Sequence, residues 1–199
     1  MVWRRLLVPA GYSLRELHGV IQVAMGWEGI HLYQFHLRAA RYGSFELSAS
    51  SPDMLIESLQ LRKGARFTYE YDLNACWRHE IRIEDRLELD HRKTYPVCVD
   101  GHGACPPEDC GGAAGYLERR AAALSLAAFD PNTIVDIVEQ VVIERRSELL
   151  DNAQTRWRLE WALDRTTVRH RWQGQPLSRR AVNARFRHGD HRQLMYQQW

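Results

Sequence analysis

Three cysteines near the middle of the chain carry its clearest metal-binding pattern. Cys98, Cys105 and Cys110 fall within 13 residues, and a structural zinc site closes four positions with thiolates and imidazoles. The candidates for the fourth ligand are His79, His91 and His102. His79 is favoured because strand alternation places it on an apolar face, where an unpaired imidazole is costly to bury. Since the chain lacks a CxxC pair, the pattern favours buried thiols that bind no metal over a zinc site, and a disulfide is the third alternative.

Two further residues that could do chemistry, Asp72 and His79, lie on neighbouring predicted strands. Paired strands bring side chains to within about 5 Å of each other, so a small hydrolase or transferase would have its pocket near Asp72, Trp77 and His79. Alternation opposes this arrangement, because it directs Asp72 and His79 to opposite faces. A complete residue set for a serine or a tyrosine recombinase is also missing. The sequence therefore does not indicate a particular reaction, and it favours a binding module over an enzyme.

The C-terminal end of the chain is strongly basic. Residues 165–199 contain eight arginines and one acidic residue, whereas the rest of the chain has 19 basic and 24 acidic residues. Four of these arginines fall within nine residues: Arg179, Arg180, Arg185 and Arg187. Nearby aromatic residues that could stack on bases are Trp172, Tyr196 and Trp199. Arginines neutralise phosphates and aromatic rings stack on bases, so this tail either contacts nucleic acid or folds back on the acidic body.

The overall composition is that of a folded protein. The 199 residues are 45% hydrophobic and 26% charged, which excludes a disordered chain. Apolar stretches fall short of the roughly 18 residues that cross a bilayer, and the start, MVWRRLLVPAG, is too short for a signal peptide. We therefore expect a cytoplasmic protein without a membrane partner.

One helix is clearly specified by local signals. Ser13 and Glu16 form a capping box, in which each side chain accepts a hydrogen bond from the backbone of the other. Leu17 and Ile21 continue an apolar stripe at helical spacing, and Gly26 stands where a C-terminal cap belongs. These signals predict a helix over 13–25, with Ser13 as its N-terminal cap.

Alternation of apolar and polar residues predicts the strands. The clearest runs are 3–8, 32–40, 66–73 and 79–89, and a single charged face in each of the last two indicates a sheet with one side in water. Residues 95–115 contain five glycines and three prolines, so an irregular loop is predicted there. The fold class expected is α+β, with an antiparallel sheet of about five strands and helices packed on one face.

The remaining apolar periodicities predict helices at 116–127, 134–148 and 150–164. Beyond 165 apolar residues become sparse. We therefore divide the chain into an α+β domain over 1–149 and a basic C-terminal extension, helical or irregular, over 150–199.

Six segments of the chain, in this order, resemble one protein family. They are WRRLLVP, SLRELHGVIQVAMGW, HLYQF, RKGARFTYEYDLNACWRHEI, YPVCVDGHGACPPEDCGGAAGY and FDP at 129–131. The set resembles the Ri-plasmid open-reading-frame-three-like family, some of whose members are labelled transposon passenger or resolvase-like proteins. The resemblance covers about residues 1–145. It implies an α+β domain found on chromosomes, plasmids and mobile elements, without an established biochemical activity.

The chain departs from the family pattern in three places. It begins almost inside the first segment, so either the sheet lacks an edge strand or the start is incomplete. Asn74-Ala75 stands where the family commonly has Gly-Asp, which removes a carboxylate from the neighbourhood of Asp72 and His79. Residues 150–199 have no counterpart in the family.

Taken together, these features predict an accessory or binding module associated with mobile DNA, with the basic tail as its nucleic-acid contact. Two alternatives stay open. One is the small enzyme with a pocket near Asp72, Trp77 and His79. The other is a self-associating protein, a homo-oligomer joined through an exposed edge strand or the aromatic tail. Zinc is the one cofactor that the residues could hold.

Overall fold

The structure, a computed structural model, describes residues 1–125 and 131–196 and divides the chain into two compact units. The first unit combines Met1–Ala113 with the chain from Pro176 onward, and the second spans Ala114–Gln175. These bounds differ from the predicted division at residue 150, because the C-terminal helices pack against the N-terminal part of the chain. Phe129 and Asp130 of the FDP segment, and Trp199, lie outside the described residues.

The first unit contains two antiparallel sheets and three helices packed on or beside them. Its strands are β1 (Trp3–Leu7), β2 (Tyr33–Leu37), β3 (Ala40–Gly43), β4 (Arg66–Tyr71), β5 (Trp77–Arg82) and β6 (Val97–His102). Its helices are α1 (Leu14–Met25), α5 (Arg179–His188) and α6 (Asp190–Gln193). Strands β1 and β6 form a two-stranded sheet, and the second sheet has the order β3-β2-β4-β5. The α+β class is therefore confirmed, although the strands form two sheets where one of about five strands was expected.

Helix α1 begins and ends where the sequence predicts. The Ser13 hydroxyl accepts a hydrogen bond from the Glu16 N–H at 3.1 Å, and the Glu16 carboxylate accepts one from the Ser13 N–H at 2.8 Å. Gly26 adopts the left-handed conformation (φ 78°) and donates to the carbonyls of Gln22 and Val23. Both ends are thus closed by groups that lie within the helix or next to it.

The four-stranded sheet presents a buried aromatic face. Tyr33 and Phe35 of β2 and Phe67, Tyr69 and Tyr71 of β4 are all less than 9% exposed. The polar residues that alternate with them on β4 and β5 lie on the opposite face. Strand β5 ends at Arg82, earlier than the predicted 89.

Strand β6 lies within the segment for which an irregular loop was predicted, so that prediction was wrong. It pairs antiparallel with β1, with Trp3 opposite His102 and Leu7 opposite Val97. Gly101 allows the close contact, because a Cβ there would lie 2.8 Å from the Trp3 carbonyl oxygen and 2.5 Å from the Leu177 side chain. Gly101 therefore serves close packing within a regular strand.

Arg4 ties β1 to its surroundings through carbonyl groups. Its guanidinium donates to the carbonyl oxygens of Trp3, Ala24, His102 and Gly103 at 2.9–3.1 Å. The Arg4 side chain therefore provides hydrogen-bond donors to carbonyl groups at the C-terminal end of α1 and at the end of β6.

Helices α5 and α6 complete the core of the first unit. Val182, Phe186 and Leu194 form one buried cluster with residues of α1 and with Cys98 of β6. The extension beyond residue 165 is thus helical and in part a core element.

Gly19 marks the closest approach between α1 and α6. A Cβ at this position would lie 2.0 Å from the carbonyl oxygen of His191 and 3.0 Å from the Met195 nitrogen. Side chains essentially never come this close to backbone atoms, so only glycine fits under α6.

We expect Gly19→Ala to lower the free energy of unfolding by about 1–3 kcal/mol, the usual cost of overpacking. This sign opposes helix propensity, which favours alanine over glycine by about 1 kcal/mol. Urea unfolding measures the change, and Gly11→Ala is the matched control because no atom lies within 4 Å of its Cβ position. A stabilised Gly19→Ala variant would contradict the packing of α6 on α1.

The second unit is helical. Helix α2 (Gly112–Leu124) leads into it, followed by α3 (Pro131–Val138), a π-helical segment Glu139–Ile143, a 3-10 segment Ser147–Asp151 and α4 (Ala153–Gln173). Helical periodicity thus predicted the correct type of structure, but α3 ends ten residues earlier than the predicted 148 and α4 runs nine residues beyond the predicted 164.

Candidate functional site

A cluster of histidines and aromatic rings lies between α1 and the four-stranded sheet. His18 of α1 stacks on Tyr33 with ring centroids 3.7 Å apart, and its Nδ1 lies 2.7 Å from the Tyr69 hydroxyl. The Gln22 amide donates to the same hydroxyl at 2.9 Å. Burial lowers the pKa of His18 to about 3, with the nearby Arg15 charge contributing. His18 is therefore neutral at pH 7, and its Nδ1 shares a hydrogen bond with the Tyr69 hydroxyl.

His79 joins this cluster from β5. Its ring lies 5.4 Å from the ring of Trp27 and 5.5 Å from that of Tyr69. Burial lowers the pKa of His79 to about 4. Several buried polar atoms of the cluster have no hydrogen-bond partner among the described residues: His18 Nε2, Gln22 Oε1, Tyr33 Oη and His79 Nε2. The cluster therefore holds two imidazoles in the uncharged form inside the core.

Asp72 has a local structural role at the end of β4. It adopts a left-handed conformation (φ 51°), and its Oδ1 accepts from the Asn74 and Ala75 N–H groups at 3.1 and 3.2 Å. Its other carboxylate oxygen lies 3.6 Å from His31 Nε2. In the described part of the chain no hydrogen bond or ion pair joins Asp72 to His79. The predicted catalytic pair is therefore not assembled, and the imidazole beside Asp72 belongs to His31.

The CPPEDC segment is fixed to this region by Glu108. The Glu108 carboxylate accepts from the Glu28 N–H at 2.7 Å, from the Ile30 N–H at 3.4 Å and from the Tyr71 hydroxyl. Two indole N–H groups hold the backbone of the segment: Trp27 donates to the Pro106 carbonyl and Trp77 to that of Glu108. The sequence did not indicate this role of Glu108, because its partners lie 37–80 residues away along the chain.

The thiols do not form a metal site in the structure. Within residues 1–125 and 131–196, no group of three or more Cys, His, Asp or Glu side chains is arranged to hold a metal ion. Burial raises the pKa of the Cys98 thiol, and it raises that of Cys105 to about 12. No disulfide joins any of the four cysteines, all of which are described. Thus Cys98, Cys105 and Cys110 are not brought together with His79, which lies in the aromatic cluster.

The four arginines of α5 divide into two pairs. Arg179 donates to the Val99 carbonyl at 2.7 Å, and Arg185 forms an ion pair with Asp190, also at 2.7 Å. Hydrogen bonds from Arg185 and then His188 lower the pKa of Asp190. Arg180 and Arg187 are exposed and have no hydrogen bond or ion pair among the described residues. Seven residues apart on one helix, they share the side opposite Val182 and Phe186.

From Pro176 onward the basic tail is part of the first unit, and it packs there mainly through apolar contacts and hydrogen bonds to backbone carbonyls. Its single acidic residue, Asp190, is paired within the tail itself. Two of the four predicted contact residues are engaged in the fold, and two, Arg180 and Arg187, face solvent.

Comparison with known proteins then settles the family. Residues 1–141 match the family model described as plasmid pRiA4b ORF-3-like protein. The chain belongs to this family. The match confirms the resemblance that the sequence motifs indicated, and it ends within four residues of the expected limit of 145.

Two relatives illustrate the pRiA4b ORF-3-like family. Uncharacterized protein y4hQ of Sinorhizobium fredii (strain NBRC 101917 / NGR234) is 36% identical over 124 residues, which cover 59% of this chain and 63% of the relative. The chain thus matches less than two thirds of that protein. A crystal structure of protein of unknown function MM3350 from Methanosarcina mazei Go1 superposes with a TM-score of 0.58 at 30% identity, covering 63% of this chain and 74% of that one.

The pRiA4b ORF-3-like match includes α1, both sheets and the Glu108 loop, and it ends before α4 and α5. A plasmid ORF-like domain is consistent with an accessory module. Among the described residues, no helix has the length and apolar character needed to cross a bilayer.

Proposed function

We propose that this pRiA4b ORF-3-like protein is an accessory module of mobile DNA that binds nucleic acid through the outward side of α5. The observation that carries the proposal is the pair Arg180 and Arg187, two exposed guanidinium groups without an intramolecular partner among the described residues. Unpaired arginines on one helix side are the groups that neutralise backbone phosphates.

The spacing of the pair suits a phosphate backbone. Seven residues of α-helix span about 10 Å, so the two guanidinium groups can contact different phosphates. Ala184 lies between them along the same side of α5, and its small side chain leaves room for the helix to approach a nucleic acid. Asp190, the nearest acidic residue along the chain, forms an ion pair with Arg185 and a hydrogen bond with His188.

Helix α5 is held in place before any ligand binds. The Asn183 side-chain amide accepts from the Cys98 N–H at 2.7 Å and donates to the Cys98 carbonyl at 2.9 Å. Arg179 adds a third hydrogen bond, to Val99, while Val182 and Phe186 are buried beneath the helix. Binding would therefore not have to order the helix, which removes one entropic cost of association.

The enzyme alternative has less support. Asp72 is engaged in the turn before β5, and His79 lies among aromatic rings with its pKa lowered by burial. A general base and its partner need hydrogen-bond distance, which these two residues do not have in the described structure.

Replacing both exposed arginines should weaken nucleic-acid binding and its salt dependence. For Arg180→Gln/Arg187→Gln we expect at least about a tenfold loss of affinity near 0.1 M salt, and the slope of log K against log salt should shrink by about 2. Fluorescence anisotropy with a labelled duplex and with a labelled single strand measures both quantities. The comparison of the two probes also tells which form is preferred.

The matched control is Arg78→Gln/Arg82→Gln, which removes the same charge from exposed positions of β5. An equal loss in both double variants would mean that net charge alone drives binding, and a wild-type protein that binds neither probe would refute the proposal. Deleting the tail is unsuitable as a test, because it would also remove Val182, Phe186 and Leu194 from the core.

A further inference from the structure

The second unit exposes more large apolar side chains than it buries. Among its described residues only Ala123, Ile137 and Ala162 are buried apolar side chains. The exposed ones are Leu117, Val135, Val138, Val142, Ile143, Leu150, Trp157, Trp161, Leu163 and Val168. A unit of about 60 residues depends on burying most of its apolar surface, so these helices expose a surface suited to a further partner.

Helix α4 has two separate apolar sides. Leu159 and Ala162 lie on the side that is partly or fully buried. Trp157, Trp161 and Val168 follow one another at intervals of four and seven residues, so they share another side of the helix, which is exposed. A helix with apolar residues on two sides is typical of one that packs against two neighbours.

The tryptophans on this second side are already ordered. Trp157 is 61% and Trp161 48% exposed, yet their rings stack with centroids 6.0 Å apart and an interplanar angle of 12°. The Arg165 guanidinium lies 4.1 Å above the Trp161 ring. Rigid aromatic rings lose little conformational entropy on binding, and Trp and Arg are the residue types enriched at binding hot spots.

The charge of the unit favours a copy of itself as the partner. Residues 114–175 contain equal numbers of arginines and acidic residues and no lysine. The arginines are Arg119, Arg120, Arg145, Arg146, Arg156, Arg158, Arg165, Arg169 and Arg171. The acidic residues are Glu118, Asp130, Asp136, Glu139, Glu144, Glu148, Asp151, Glu160 and Asp164. A unit without net charge does not repel a second copy, whereas a polyanion would find no net attraction there.

The exposed tryptophans also supply a large part of the area that an interface needs. A stable protein–protein interface takes about 800 Å² from each partner. Two half-exposed tryptophans supply roughly 200–250 Å² of this, and the exposed Val168 extends the same side of α4. Low lysine content together with arginine and tryptophan matches the composition of interface centres.

From these observations we propose that the second unit is a dimerisation module, in which the Trp157–Trp161 side of α4 packs against the same side of a second copy of the chain. An isologous pair with twofold symmetry uses one patch twice and is the commonest arrangement of homo-oligomers. The proposal is independent of the contact that α5 would make with nucleic acid.

Sedimentation velocity of the full-length protein between 1 and 100 µM tests the proposal. We expect the wild type to dimerise within this range and Trp157→Ser/Trp161→Ser to raise the dimer dissociation constant about 30-fold or more, as for two hot-spot residues. The control is Leu87→Ser, since Leu87 is 69% exposed in the first unit. It should dimerise like the wild type.

Circular dichroism establishes whether the double variant keeps its helices, as expected for residues already exposed in the monomer. If it does not, Val168→Lys provides the second test, because it places a charge on the same side of α4 and should also dissociate the dimer. A wild type that stays monomeric up to 100 µM overturns the proposal. So does a dimer that folded α4 variants leave unchanged.

Discussion

Acidification from pH 7.5 to 5.0 should lower the free energy of unfolding by about 4 kcal/mol, through the fully buried His18 and the partly buried His79. In the folded protein the pKa of His18 is about 3 and that of His79 about 4, in both cases because burial disfavours the charged imidazole. In the unfolded chain both have a pKa near 6.5, the usual value for an imidazole. Below pH 6.5 the unfolded state therefore takes up protons that the folded state does not.

Protonation therefore favours the unfolded state, so the free energy of unfolding falls as the pH falls. The stabilisation is fully present above pH 6.5 and is lost as the pH falls, by up to about 1.4 kcal/mol per pH unit for each histidine. His191, whose pKa burial also lowers, adds to the same trend. The carboxylates with lowered pKa, such as Asp53 and Glu70, lose their contribution to stability only below about pH 4.5. The change in the free energy of unfolding between pH 5 and 6.5 therefore comes from the histidines.

Urea unfolding at a series of pH values between 7.5 and 5.0 measures this effect. His79→Gln should remove about half of the pH dependence, because one of the two main groups no longer titrates. His91→Gln alters an exposed histidine and should leave the profile unchanged. A stability that stays constant across this range would show that the two imidazoles are solvated.

Truncating the buried phenylalanine of α5 should have an effect of similar size. Phe186 is 3% exposed and packs in the cluster that contains Val20, Val182 and Leu194. Phe186→Ala removes its apolar contacts and leaves a cavity, so we expect a loss of about 3–5 kcal/mol in the free energy of unfolding. Thermal and urea unfolding measure the loss.

The matched control for this prediction is Phe45→Ala, since Phe45 is 66% exposed in the same unit. It should change the stability by less than about 1 kcal/mol. Limited proteolysis adds a local measurement, because a loosened α5 should be cleaved after its arginines in Phe186→Ala and stay intact in the control. Equal effects of the two substitutions would mean that α5 does not form part of the core.

Local signals account for the elements that the sequence predicted well. The ends of α1 are determined by Ser13, Glu16 and Gly26, all within or next to the helix. Strands β4 and β5 show regular alternation and pair with each other across a short turn. In both cases the decisive contacts join residues that are close along the chain.

The elements that were mispredicted depend on distant partners. Strand β6 pairs with β1, whose residues lie 90–99 positions earlier, so its glycines were interpreted as a loop. Few apolar residues mark α5, and the sequence did not predict the buried side formed by Val182 and Phe186. One signal was available: a glycine inside the capped, amphipathic α1, Gly19, indicates that another backbone packs closely there.

The candidate sites, too, depend on contacts between residues that are distant along the chain. Proximity along the chain grouped the cysteines, but among the described residues they do not assemble with His79 into a set that could hold a metal ion. Asp72 lies beside His31, and the Glu108 carboxylate accepts hydrogen bonds from the N–H groups of residues 28 and 30. No local sequence pattern indicates these contacts. Counting charges along the sequence was enough to identify the basic tail. Which of its arginines are exposed depends on the position of α5 and on the partners of each side chain, and only the structure shows these.

The hydrogen bonds of Asn183 also affect when the edge of β6 becomes covered during synthesis of the chain. Its amide covers the outer edge of β6 at Cys98, and the two residues are 85 positions apart. At 5–20 residues per second, the ribosome adds that length in about 4–17 s. During this interval the edge of β6 is uncovered in the nascent chain and can pair with any extended segment, so it stays exposed until residues 179–188 of α5 have been synthesised.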